Sequence, residues 1–109
     1  MIVHLCSLPA WEAAQRAGEY RADSLESQGF IHASRPEQVL AVANAFYLEM
    51  ANPLLLWIDD TRLCPEIRWE LADGQLFPHL YGPLNLEAVV AVTPLERDPD
   101  GVFRRLPNP

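Results

Sequence analysis

Gly29-Phe-Ile-His32-Ala-Ser34-Arg-Pro-Glu37 is the stretch on which the fold turns, because a short strand passes there directly into a helix. Phe30-Ile31-His32-Ala33 is a brief run of apolar and ring side chains bounded by Gly29, the pattern of a strand. Ser34 followed by Glu37 has the spacing of a capping box, and Pro36 suits a first helical turn. Apolar residues at 39, 42, 43, 46, 47 and 50 form one helical stripe, so the helix is expected to bury a face through Met50 before Asn52-Pro53 stops it.

Working outward, Ile2 to Ser7 is an apolar run that reads as a strand. Ser7 is placed to cap a helix over Pro9 to Ala17, with Gly18 ending it. The stretch Glu19 to Gln28 is polar and gives no regular element. Leu54-Leu-Leu-Trp-Ile58 is continuously apolar, as expected of a strand covered on both faces. Glu66-Ile-Arg-Trp-Glu70 alternates, which predicts a half-buried strand with Ile67 and Trp69 toward the core and Arg68 and Glu70 away from it.

After the Asp73-Gly74 turn, the prolines of Leu76 to Pro83 predict an irregular segment, and Ala88 to Thr93 the last core strand. The expectation is one α+β domain over residues 1–109 with two helices. Its core spans about 2–95, and 96–109 form a C-terminal extension or loose tail.

Half of the 109 residues are apolar, enough for one core without staples. Cys6 and Cys64 stand in no metal or redox spacing and read as free, buried thiols. No secretion signal or membrane-spanning run is visible, so the expected setting is cytoplasmic with no membrane partner. A net charge of −7 opposes a nucleic-acid partner. All eight basic residues are arginine, which excludes lysine Schiff-base chemistry but leaves guanidinium groups for anions.

Two histidine motifs carry the functional signal. The period of two in a strand puts Phe30, His32 and Ser34 on one face, with His32 able to act near neutral pH and the helix start able to attract an anion. His32 reads equally well as a hydrogen-bonded structural residue, and Ser34 chiefly as a helix cap. Pro78-His79-Leu-Tyr81-Gly82-Pro83 mounts a titratable ring and a phenol on a stiff segment, suited to ligand contact or to a plain crossover. His4 faces opposite to Val3 and Leu5 and would share the His32 cleft if the strands are neighbours. Glu70 is the best isolated carboxylate for proton transfer. Three histidines and Glu70 match a zinc or iron ligand inventory, but no His-x-x-x-His spacing occurs and no metal is expected.

On these motifs, with Trp11-Glu12-Ala13, Ser24-Leu25, Val42-Ala-Asn44, Phe46-Tyr47, Arg68-Trp-Glu70 and Phe77, the chain resembles a bacterial family called domain of unknown function 952 from Ile2 to about Leu95. The resemblance implies a fold similar to ADP-ribosyltransferases: a split mixed or antiparallel sheet with a cleft for a nicotinamide dinucleotide. By order, His4 resembles the first cleft motif of that superfamily, and His32 with Ser34 the second, as in the RNA 2′-phosphotransferase branch. The late motif departs from the pattern, because His79-Leu-Tyr81-Gly82-Pro83 has no glutamate and Glu70 precedes it.

What the resemblance implies is a transferase-like cleft for NAD, ADP-ribose or a related phosphorylated small molecule. His32, His79 and Glu70 would be catalytic, and His4, Ser34, Tyr81 and Gly82 would bind ligand, with the two histidine motifs as walls of one cleft. The alternative is a ligand-binding or protein-interaction module of the same fold without catalysis.

Overall fold

The computed structural model describes residues 1–109. In chain order the elements are β1 (Ile2–Ser7), α1 (Leu8–Ala17), β2 (Glu19–Tyr20), α2 (Asp23–Ser27), β3 (Ile31–His32) and α3 (Pro36–Phe46). They continue with β4 (Pro53–Ile58), β5 (Glu66–Ala72), β6 (Gln75–Tyr81), β7 (Leu84–Asn85) and β8 (Val89–Pro94). The strands form one sheet in the order β1-β4-β8, a second in the order β3-β6-β5, and a small β2-β7 pair. Every pairing is antiparallel.

The continuous apolar run sits in β4, the middle strand of the first sheet, as its composition requires. Its alternate residues feed two cores. Leu56 and Ile58 join Ile2, Cys6, Ile31, Ala33 and Leu80, so one face of the first sheet packs on the second sheet. Leu55 and Trp57 join Val3, Leu5, Val39 and Ala43, so the other face packs on α3. No helix of this small α+β domain is long and apolar enough to cross a membrane.

The two sheets are stitched together by a single bridge. The Val3 N–H donates to the Ser34 carbonyl at 2.8 Å, and the Ser34 N–H donates back to Val3 at 2.9 Å. That bridge explains a departure from expectation. Ser34 is held extended against β1 and does not cap α3; the N-cap is Arg35, whose N–H donates to the Gln38 side chain at 2.9 Å. Gln38, not Glu37, closes the helix entrance. By contrast Ser7 caps α1 by accepting from the Ala10 N–H, and Gly18 ends it with φ +85°, a left-handed conformation that favours glycine.

Other departures have local causes. Within the polar stretch, β2 and α2 form, giving three α-helices where two were expected. The α3 helix ends at Phe46, which is 70% exposed, and the Arg97 guanidinium takes the Tyr47, Leu48 and Met50 carbonyls beyond its end.

Leu76 to Pro83 is not irregular: β6 is the central strand of its sheet, with Pro78 inside it. The Pro78 carbonyl accepts from Ala33 at 3.1 Å, so its missing N–H also points toward β3, where pairing has just ended. No β5 ladder bond is lost. Trp69, expected in the core, is 44% exposed because the β5–β6 hairpin runs past the edge of the core. Cys6 is buried, and burial pushes its thiol up to about 12, but Cys64 is exposed, contrary to expectation.

Residues 96–109 contain no strand, yet the expected loose tail is pinned as far as Phe103. Phe103 is 1% exposed in the second core, and its N–H and carbonyl are both held by the Asn44 side chain at 2.9 and 2.8 Å. Phe103→Ala is therefore expected to cost about 3–5 kcal/mol of unfolding free energy in urea denaturation, the range for emptying a buried aromatic site. A loss under about 0.5 kcal/mol, the scale of surface changes, would show the segment to be undocked.

Candidate functional site

Register in the second sheet brings the two histidine motifs side by side. Ile31 pairs with Leu80 and His32 with His79, while Arg68 pairs with His79 and Glu70 with Phe77. Ile31 and Leu80 are fully buried against the first sheet, so alternation turns Phe30, His32, His79, Tyr81, Arg68 and Glu70 to the opposite face. The motifs are thus neighbours on one sheet face and do not oppose each other as cleft walls.

Four rings gather there. Phe30 stacks on His79 with centroids 4.1 Å apart and planes within 13°, and lies 4.8 Å from His32 and 5.4 Å from Tyr81. His32 meets His79 edge to face at 5.3 Å. Beside them Glu70 ties two groups through one oxygen: His79 Nδ1 at 2.8 Å and the Tyr81 hydroxyl at 2.5 Å. The Tyr81 hydroxyl and His79 together hold the Glu70 carboxyl below the usual carboxylate range, and the same bond to Glu70 raises the Tyr81 phenol.

A carboxylate only accepts, so Nδ1 of His79 carries a proton, and in the neutral ring Nε2 keeps its lone pair. Nε2 has no partner within the chain, in a residue that is only 7% exposed. A carboxylate behind a histidine both fixes the ring and stabilises the charge it gains on taking a proton. His32 differs: its Nε2 lies 2.6 Å from the Gln28 side-chain oxygen, and burial followed by the nearby His79 lowers its pKa. It remains a neutral, exposed ring at neutral pH. Arg68 lies 4.1 Å over the Tyr81 ring and is paired with Glu66, so one guanidinium borders the cluster.

The other expected site residues lie apart. His4 does not reach the cluster. Its Nδ1 donates to the His32 backbone carbonyl, and its Nε2 accepts from the Tyr20 hydroxyl at 2.9 Å, between the sheets. Burial lowers its pKa to about 4. His4 holds the backbone of His32 while its own ring is closed to ligand. Ser34 is buried and its hydroxyl makes no hydrogen bond within the chain. Gly82 turns the chain out of β6 beside Pro65, where a β-carbon would come within 3.1 Å of the Pro65 side chain. Its requirement is close packing together with a φ of +157°, which residues with a side chain rarely adopt. Phe30 and Arg68 were legible from strand alternation as face-mates of His32 and Glu70; Gln28 and Tyr20 gave no signal in a polar, non-periodic stretch.

The model of a family described as "Protein of unknown function (DUF952)" matches residues 5–92. The crystal structure of protein CC0527 from Caulobacter crescentus is similar over 94% of this chain and 92% of its own, with 33% identity and a TM-score of 0.86. A double mutant of that protein gives 32% identity and the same TM-score, and its solution NMR structure gives 33% and 0.80. No curated protein matches.

The buried His4 makes a signed prediction. Its pKa falls from 6.5 to about 4 on folding, so the unfolded chain binds the extra proton. Stability is then full above about pH 6.5 and falls as pH drops toward 4, by up to about 3 kcal/mol. Comparing unfolding free energies across that window for wild type and His4→Gln should show the slope flattened in the variant. Equal slopes would mean that His4 is not buried in the neutral form.

Proposed function

Because the chain belongs to the DUF952 family, we propose that the ring-lined face of its second sheet is an ADP-ribosyltransferase-like site that binds NAD, ADP-ribose or a related phosphorylated ribose ligand and acts on it by acid–base chemistry. The observation that carries this reading is the Glu70–His79 pair, which leaves an aligned, unpartnered Nε2 among aromatic rings. His79 moves the proton, Glu70 holds its ring, and His32 supplies a second, neutral imidazole at the same reacting group. Tyr81 and Phe30 offer faces for a base or nicotinamide ring, and Arg68 a charge for phosphate.

In this reading Glu70 stands in for the missing glutamate of the late motif. The carboxylate expected there arrives from the neighbouring strand and meets His79 and Tyr81 at one oxygen. The split arrangement of two antiparallel sheets joined at the Val3–Ser34 bridge supports the same fold analogy. His4 acts as a positioning residue through the His32 carbonyl. Ser34 and Gly82 are given supporting places at the ends of the two strands. A cytoplasmic setting suits two unpaired cysteines.

A non-catalytic binding module is the second reading, favoured by the burial of His79, which is 7% exposed and so offers little of its Nε2 to a reacting group.

An NMR titration with NAD, ADP-ribose and a 2′-phosphorylated RNA end separates the two. Binding is expected to shift the His32, His79 and Tyr81 resonances, to be lost in His32→Ala, and to be followed by turnover that Glu70→Gln slows about a hundredfold or more. Binding without turnover selects the module. No shift at these rings with any of the three ligands overturns the reading.

A further inference from the structure

The outer edge of β5 is a free strand edge. β5 is flanked only by β6, and along it Arg68 is exposed, Trp69 is 44% exposed and Leu71 is 74% exposed. Which backbone groups that edge presents follows from the ladder. The Pro78 carbonyl points to Ala33 in the direction of β3, so Phe77, His79 and Tyr81 point to β5. Their partners Glu70, Arg68 and Glu66 therefore spend their backbone groups on β6. Ile67, Trp69 and Leu71 turn their N–H and C=O groups outward, unpaired.

From this edge we infer that a second copy of the chain pairs with it, β5 antiparallel to β5 about a two-fold axis at Trp69. That register sets Trp69 against Trp69, Ile67 against Leu71, and Arg68 against Glu70 of the second copy in both directions. Backbone polarity fits, because the outward-facing residues 67, 69 and 71 meet 71, 69 and 67, and each pair can exchange both bonds. Charge fits as well. Opposite charges directly across a ladder stabilise it, whereas shifting the axis to Arg68 would set Glu66 against Glu70, and shifting it to Glu70 would set two glutamates together.

The exposed apolar side chains also find cover in this arrangement. Trp69 and Leu71 lie on the face away from the rings, where the two hairpins would bury them against each other. A long, unpaired edge is otherwise a liability; β5 has no proline or bulge, and of its charged residues Arg68 and Glu70 are the ones that this pairing sets against each other. A two-fold antiparallel pairing keeps like faces together, so both ring clusters open on the same side of one continuous sheet. Arg68 of each copy then lies next to Glu70 of the other, at the border of the site.

Sedimentation equilibrium together with hydrogen exchange tests the arrangement. Wild type should dimerise below about 1 mM, with the Ile67, Trp69 and Leu71 amides gaining protection as concentration rises. Arg68→Glu, which sets glutamate against glutamate, should raise the dimer dissociation constant about tenfold or more, and the swap R68E/E70R should restore it. Leu71→Pro removes one outward N–H without touching the β6 ladder and should abolish association. Should that variant fail to fold, the wild-type amide protection decides.

A protein that stays monomeric, or a dimer indifferent to Arg68→Glu with those amides unprotected, overturns the inference. Ligand binding to the ring cluster is read separately and does not depend on this outcome.

Discussion

Everything at the candidate site depends on the burial of Ile31 and Leu80 between the two sheets. Both are fully buried, and they pair directly across β3 and β6. Because successive side chains in a strand point to opposite faces, fixing that pair inward forces His32, His79, Phe30 and Tyr81 outward together. A slip of one residue would put the histidines in the apolar core and the leucine and isoleucine in water. The apolar face thus sets the register, and the register assembles the chemistry.

The bridge between Val3 and Ser34 and the ring of His4 hold that arrangement against the first sheet. A carbonyl cannot donate, so the His4 bond to His32 fixes the proton on Nδ1 and leaves Nε2 to accept from Tyr20. The third histidine is thereby satisfied at both nitrogens inside the protein. On the ring-lined face of the second sheet His79 is also buried, but Glu70 satisfies one of its nitrogens and leaves the other without a partner in the chain. The same residue type is given two partners in one place and one in the other.

Much of this was legible in the sequence where a local rule governed. The apolar run at Leu54–Ile58 declared a doubly covered strand, Ser7 and Gly18 declared the ends of α1, and alternation placed Phe30 with His32. What escaped depended on register or tertiary contact. Pro78 argued against a central strand, and only the short reach of β3 makes it harmless there. Trp69 alternated correctly but lies beyond the core that would have covered it. Ser34 matched a capping box, yet the bridge to Val3 took it. The docking of Phe103 rests on Asn44, far away in the chain, and the Glu70–His79 contact exists only because the β5–β6 hairpin sets the two on one face.

The candidate site rests on Glu70, which fixes His79 with a proton on Nδ1. Long-range proton–nitrogen NMR correlation of the histidine rings at neutral pH reports the tautomer directly. His79 is expected in the Nδ1–H form in wild type, with that preference lost in Glu70→Ala. A wild-type His79 protonated at Nε2 alone, or a tautomer unchanged by Glu70→Ala, would contradict it.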